Sequence, residues 1–170
     1  MSGVNYNPYS HHSKEQGYQN LNNAKATAKF VKAQLKKIYG SALKKKSIAI
    51  YGVDNSTTYL AAHVKMLMPE IEFISGRKAE NDDNDDHTGM RVGYALLPDV
   101  ILFVDDYFSR GRASCQFAYA MQNKKNMGDE CKPDMLFFFI NSAYDNSEVK
   151  KKLESICQKY PISVFSMVER

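Results

Sequence analysis

The sequence predicts a three-layer α/β/α protein, a mainly parallel sheet of about five strands covered by helices on both faces. Three observations predict it. Short apolar runs rich in β-branched and aromatic residues alternate with helical stretches along the chain. Two runs, DVILFVDD (Asp99 to Asp106) and DMLFFFINS (Asp134 to Ser142), are almost unbroken in their apolar character, as strands buried on both faces are. The spacers between runs are long enough for the crossover helices that parallel neighbours need.

Each element has its own signal. The first twenty residues are polar, rich in Tyr and Asn, and follow neither hydrophobic period, so 1–20 reads as an arm beside a single domain over 21–170. From Leu21 to Tyr39, Ala24, Ala28, Val31, Leu35 and Ile38 recur at spacings of three and four with lysines on the other face, which predicts a helix ended near Gly40. The three lysines of LKKKS (Leu43 to Ser47) could attract a polyanion, but a solvated turn before a strand is the better reading. SIAIYGV (Ser47 to Val53) is the first strand, a helix begins near Ser56, and IEFIS (Ile71 to Ser75) is the second strand.

After the polar stretch GRKAENDDNDDHTG, MRVGYAL (Met90 to Leu96) is a further strand candidate. The run from Asp99 to Asp106 is the central strand, and ASCQFAYAMQNKK predicts a helix after it. The strand Asp134 to Ser142, a helix over Ser147 to Tyr160 and a closing strand at Ile162 to Val168 complete the order. The Met-rich KMLMPE reads as core filler.

Composition narrows the function classes. The chain of 170 residues is 44% hydrophobic and 25% charged, ordinary for a globular protein able to bury a core. Its 23 basic and 19 acidic residues leave a net charge of +4, and a nucleic-acid footprint, which needs clustering on one face, is not expected from that balance. Cys115, Cys131 and Cys157 lack metal spacing and read as reduced thiols, which points to the cytoplasm. No apolar run reaches the length of a membrane span and the N-terminus is polar, so neither a span nor a secretory signal is expected. His11 and His12 read as a solvent-exposed pair, and His63 as a packed or surface residue.

In open α/β sheets ligands bind beyond the carboxyl ends of the strands. GVDNSTT, GRKAENDDNDD, DDYFSRGRAS and NSAYDNS follow four of these strands, all polar and rich in Gly, Ser, Asn or Asp. In SRGRAS, Gly111 permits close backbone approach, Arg110 and Arg112 offer charge-assisted hydrogen bonds, and the helix that follows offers unpaired N–H groups to an anion. Asp105 and Asp106 would repel a phosphate but suit hydroxyls or a divalent cation. A sugar phosphate satisfies both halves. Alternatively, the aspartates pair with Arg110 and Arg112 across a surface turn.

At this point the sequence resembles the type I phosphoribosyltransferases, whose signature is an apolar strand ending in two acidic residues, then a Thr-Gly-x-Thr phosphate loop opening a helix. VILFVDDYFSRGRAS supplies the strand, Asp105, Asp106 and Gly111 in register; the threonine positions hold Arg110 and Ala113, with Ser114 one place later. IAIYGVDNSTTYLAAHV is similar to the family's pyrophosphate loop, and ISGRKAEN sets Arg77 and Lys78 where many members carry an Arg-Lys pair before a mobile loop. MRVGYAL would be the antiparallel strand those enzymes insert, and the match of order and spacing runs from about Ser47 to Val168.

The resemblance implies a ligand such as 5-phosphoribosyl 1-pyrophosphate with Mg²⁺, or a nucleotide, and a small nitrogenous base as acceptor. Asp105 and Asp106 would take the ribose hydroxyls, partly through the water of a Mg²⁺ that the protein does not ligate directly. Ser109, Arg110, Gly111, Arg112, Ala113 and Ser114 would hold the 5′-phosphate. Val53, Asp54 and Asn55 would face the pyrophosphate beside Arg77, with Lys78 closing over the leaving group. Tyr144 and Asp145 follow the fourth parallel strand where relatives contact the base, although an N-cap turn explains them equally well. Homodimers are common among the relatives.

Two functions fit: a phosphoribosyltransferase, or a non-catalytic module of that fold that senses a nucleotide or sugar phosphate. A phospho-acceptor receiver is set aside, because such domains need about a hundred residues after the acidic strand and only 64 follow Asp106. A calcium loop at Asp82, Asn84 and Asp86 is set aside too, since His87 stands where Gly is needed and Gly93 where Glu is required.

Overall fold

The computed structural model describes residues 14–52, 55–77, 91–92, 98–111, 114–115, 117–118, 133–156, 158 and 160–167. In chain order the elements are α1 (Lys14–Tyr39), a 3-10 turn (Gly40–Lys45), β1 (Ile48–Gly52), α2 (Asn55–Leu67), β2 (Glu72–Arg77), β3 (Arg91–Val92), β4 (Val100–Phe108), β5 (Asp134–Ser142), α3 (Asn146–Glu154) and β6 (Ile162–Ser166). Ser114, Cys115, Phe117 and Ala118 are helical as well. No helix among the described residues is long and apolar enough to cross a membrane.

Among the described residues six strands form one sheet in the order β3-β2-β1-β4-β5-β6. β2, β1, β4, β5 and β6 are mutually parallel, and β3 pairs antiparallel to β2 through Gly76↔Val92 and Arg77↔Arg91. This is the predicted sheet of five parallel strands and one antiparallel strand. Side chains alternate between its two faces. Ile50, Val100, Leu102, Val104, Leu136 and Phe138 meet Ala28, Val31 and Leu35 of α1 and Leu60 and Val64 of α2. On the other face Tyr51, Ile101, Phe103, Phe137 and Phe139 meet Phe117, Val149 and Leu153. Helices on both faces explain why β4 and β5 read as continuous apolar runs.

At the amino edge of the sheet a reciprocal pair fixes the register. Asp99 Oδ2 accepts from Ser47 N–H (2.8 Å) and Ser47 Oγ (2.9 Å), while Asp99 N–H donates to Ser47 Oγ (2.9 Å). Those bonds hold the Asp99 carboxyl below the usual carboxylate range, the Ser47 backbone donor foremost. Tyr39 Oη donates to Asp134 Oδ2 (2.7 Å) and so ties the end of α1 to the start of β5. Burial, and then that carboxylate, push the Tyr39 phenol up.

Element boundaries differ from the sequence reading in ways that have causes. α1 begins at Lys14, inside the stretch read as an arm, because its first turns, KEQGYQNLNN, are polar and carry no apolar stripe to announce them. β4 runs two residues beyond Asp106, since β5 goes on pairing with it at Tyr107↔Asn141 and Phe108↔Ser142. α3 stops at Glu154 rather than Tyr160: Ser155 N–H bonds Lys151 O (3.1 Å) and its Oγ bonds Lys152 O (2.7 Å), closing the last turn. The Met90–Leu96 strand is described only at Arg91–Val92.

Candidate functional site

The strand order reverses between β1 and β4: the chain leaves β1 toward β2 and β3, then returns to β4 on β1's other side. Their carboxyl ends therefore flank the crevice where open α/β sheets bind ligands. The register sharpens this placement. Tyr51 pairs with Phe103, so Gly52, the last residue of β1, stands level with Val104. Asp105 and Asp106 are the first β4 residues above the end of β1, yet β5 still braces Asp105 through Phe139. The acidic pair overhangs the switch point on a rigid strand.

Its two carboxyls differ. Asp105 is only 7% exposed and its Oδ1 accepts from Asp106 N–H (2.8 Å), while Asp106 is half-buried. Strand alternation sends the two side chains to opposite faces, Asp105 with Phe103 and Asp106 with Val104. Phe108 departs from that alternation. It joins the aromatic cluster of Phe103, its ring centroid 5.0 Å from that of Phe139, as the strand twists away above β1.

Phe108 then dictates the loop. Gly111 is buried with φ of +70°, and a Cβ there would lie 2.3 Å from Phe108 Cζ. Glycine is required by its backbone angle and by the ring beneath it. Gly111 O accepts the N–H of Cys115 (2.8 Å), the first bond of the helix that follows. Lys152 Nζ donates to Arg110 O (3.3 Å) and stands 6.0 Å from the Phe108 ring centroid and 5.2 Å from that of Tyr144. Burial pushes the Cys115 thiol up, and the Lys152 ammonium pulls against it. The loop after β4 is thus held by a ring below and a lysine from α3.

Two buried hydroxyls at this end of the sheet find no hydrogen-bond partner among the described residues, Ser114 Oγ and Tyr51 Oη. Ser114 is 1% exposed and lies in the first turn of the helix after Gly111. One turn later Phe117 packs its ring 4.3 Å from that of Tyr51, so both orphans serve the same helix–sheet seam. Burial pushes the Tyr51 phenol up. An unpartnered buried hydroxyl costs about 1–3 kcal/mol, so such groups call for an explanation.

Of the residues expected at the site, Asp105, Asp106, Ser109, Arg110, Gly111 and Ser114 fall on one strand, loop and helix start, with Ser109 and Arg110 exposed. Asn55 opens α2 beyond β1, across the switch point. Arg77 ends β2, one strand further out, paired with Arg91. Val53, Asp54, Lys78, Arg112 and Ala113 lie outside the described residues.

Tyr144 and Asp145 follow β5 beside Phe108. The Tyr144 ring meets Phe108 edge-on at 6.3 Å and faces Lys152. Asp145 Oδ1 accepts from Ser147 Oγ (2.6 Å), Ser147 N–H (2.8 Å) and Glu148 N–H (2.9 Å) in a capping box for α3. Those bonds, the Ser147 side chain first, hold its carboxyl low. The sequence reading missed Phe108 and Lys152. Lys152 is indistinguishable in sequence from Lys150 and Lys151, whereas a Phe three residues before a loop glycine is a signal that could have been followed.

No group of three or more potential metal-ligating side chains occurs among the described residues. Asp105 and Asp106 are adjacent on β4 above the end of β1 with their side chains sent to opposite faces, so a hard cation beside them would be held mainly by its own ligand.

The sequence matches no family model and no curated protein. The fold does match solved structures. A crystal structure of adenine phosphoribosyltransferase superposes with a TM-score of 0.53 at 12% identity, over 89% of this chain and 81% of that one. The APRTase of Giardia lamblia, solved with 9-deazaadenine, gives 0.55 at 14% identity, over 86% and 80%. The chain has a phosphoribosyltransferase-like fold.

Proposed function

We propose, from a fold shared with adenine phosphoribosyltransferases, that the protein binds 5-phosphoribosyl 1-pyrophosphate with Mg²⁺ and transfers phosphoribosyl to a nitrogenous base. The observation that carries the reading is the overhang of Asp105 and Asp106 at the switch point, followed within a few residues by a helix start with an unpartnered Ser114 Oγ. Carboxylates accept hydrogen bonds from vicinal hydroxyls, and the helix start with Ser114 supplies donors for a phosphate.

In the reaction the bond between the anomeric carbon and pyrophosphate breaks, and a base nitrogen bonds to that carbon. Positive charge develops on the ribose in between. Asp105 and Asp106, fixed on a braced strand, hold the ribose by its hydroxyls and stabilise that charge without reorganising. Ser114 and the loop N–H groups anchor the far end of the sugar, so the anomeric carbon points toward the loop after β1. Asp105 and Asp106 would hold, through water, a Mg²⁺ brought by the ligand, and the ion's charge would offset that of the departing pyrophosphate. Lys78 is assigned to cover the leaving group.

The second reading, a sensor that binds without turnover, draws on the arginine substitution in the loop and on Asp145, whose Oδ1 is engaged as a helix cap. Pyrophosphate release measured over a panel of purine and pyrimidine bases separates the two: release with one base assigns an enzyme, and binding without release for every base assigns the sensor.

A further inference from the structure

We propose that the exposed lysine face of α1 is a docking surface for a nucleic-acid phosphate backbone. The whole-chain balance conceals it. Eight lysines lie between Lys25 and Lys46, and no acidic residue occurs from Gln16 to Val53. Without those eight, 15 basic residues face 19 acidic ones, so the positive charge of the protein resides in this one segment.

The helix converts the segment into a line. Lys25, Lys29, Lys32 and Lys36 are all exposed, and their spacings of four, three and four place them within an arc of about 60°. The row is about 16 Å long, the axial rise of four to five phosphates on one strand of a duplex. Lys44 and Lys45, exposed in the 3-10 turn, extend the positive field beyond the helix end. Glu70 meets the row at Lys32 Nζ (4.0 Å), with both side chains more than half exposed. An exposed pair of that kind contributes little and yields readily to a phosphate.

The chemistry favours a backbone in water over a lipid surface. Interfacial helices need large apolar side chains beside the basic ones. Here the described neighbours of the row are Ala26, Ala33 and Gln34, Phe30 is partly buried against the core, and the exposed Ile38 lies well off the row around the helix. With no exposed aromatic ring among the described side chains of α1 to stack a base, the contact is one to phosphates without sequence readout. α1 covers the sheet face opposite the Phe117 helix, so this surface is independent of the phosphoribosyl site.

Anisotropy of a short mixed-sequence DNA duplex, titrated with the full chain, tests the proposal. Four phosphate contacts predict a log–log salt slope of about −3.6, a loss of about 150-fold in affinity between about 50 and 200 mM salt. Replacing Lys25, Lys29, Lys32 and Lys36 by Gln should weaken binding at least about tenfold at the lower salt and flatten the slope. K150Q/K151Q on α3 should leave both unchanged, and circular dichroism should show all variants folded. Absence of binding at low salt, equal binding by the quadruple variant, or capture by phosphatidylserine vesicles without capture of the duplex would each overturn it.

Discussion

Asp105 is a nearly buried carboxylate above the last residue of β1, and Ser114 is a buried hydroxyl that nothing described satisfies. On the proposed function, a phosphoribosyl ligand would use both, Asp105 in addition to the bond it accepts from Asp106 N–H. Ser114→Ala should therefore leave the unliganded protein unchanged or up to about 1 kcal/mol more stable, since deleting an orphan removes a desolvation cost. The same change should weaken 5-phosphoribosyl 1-pyrophosphate binding. Chemical denaturation beside calorimetric titration checks both signs, and a large loss of stability would show that Ser114 has a structural partner. Gly111 obeys a different constraint, the Phe108 ring. Gly111→Ala should cost about 2 kcal/mol or more, from positive φ and from the clash. In a Phe108→Ala background that cost should shrink, a coupling measurable as a double-mutant cycle; strictly additive losses would mean the ring does not set the loop.

At the scale of elements, hydrogen-bonded carboxylates fix how the pieces join. Asp99 sets the starts of β1 and β4, and Asp145 caps α3. These bonds hold both carboxyls below the usual carboxylate range, so the stability they confer is present above the unfolded pKa and is lost as pH falls through their lower folded values. Unfolding followed from pH 7 down to about 2 should show stability falling below about pH 4, and Asp99→Asn with Asp145→Asn should flatten that fall while keeping the caps. An unchanged acid limb would show that other carboxylates govern it. Most of this scaffold was legible in the sequence: β5 lies where its apolar run placed it, and the lysine-backed stripe of α1 marked that helix from Ala24 onward. The early start of α1 was not, because a helix without an apolar stripe has no periodic signal. Nor was the extension of β4 past its acidic pair, which depends on pairing with a strand 34 residues away.

For the whole molecule, the order of strands does what no single motif can. The sequence put polar turns after four strands, but only the reversal between β1 and β4 makes the turn after β4 a crevice wall. It also sets the place of the loop after β4, with Phe108 packed against Gly111 and Lys152 donating to Arg110 O. The Lys152 contact reaches the loop from 42 residues away and leaves no local signal in the sequence, whereas Phe108 lies only three residues before Gly111. Phosphoribosyl binding at the switch point is tested most directly by calorimetric titration of the full chain with 5-phosphoribosyl 1-pyrophosphate and Mg²⁺, against Asp105→Asn/Asp106→Asn. Saturable, Mg²⁺-dependent binding to the wild type is expected, with a loss of at least about tenfold in the double variant, two charge-assisted hydrogen bonds being removed. No binding to the wild type, or equal binding to both, would contradict it.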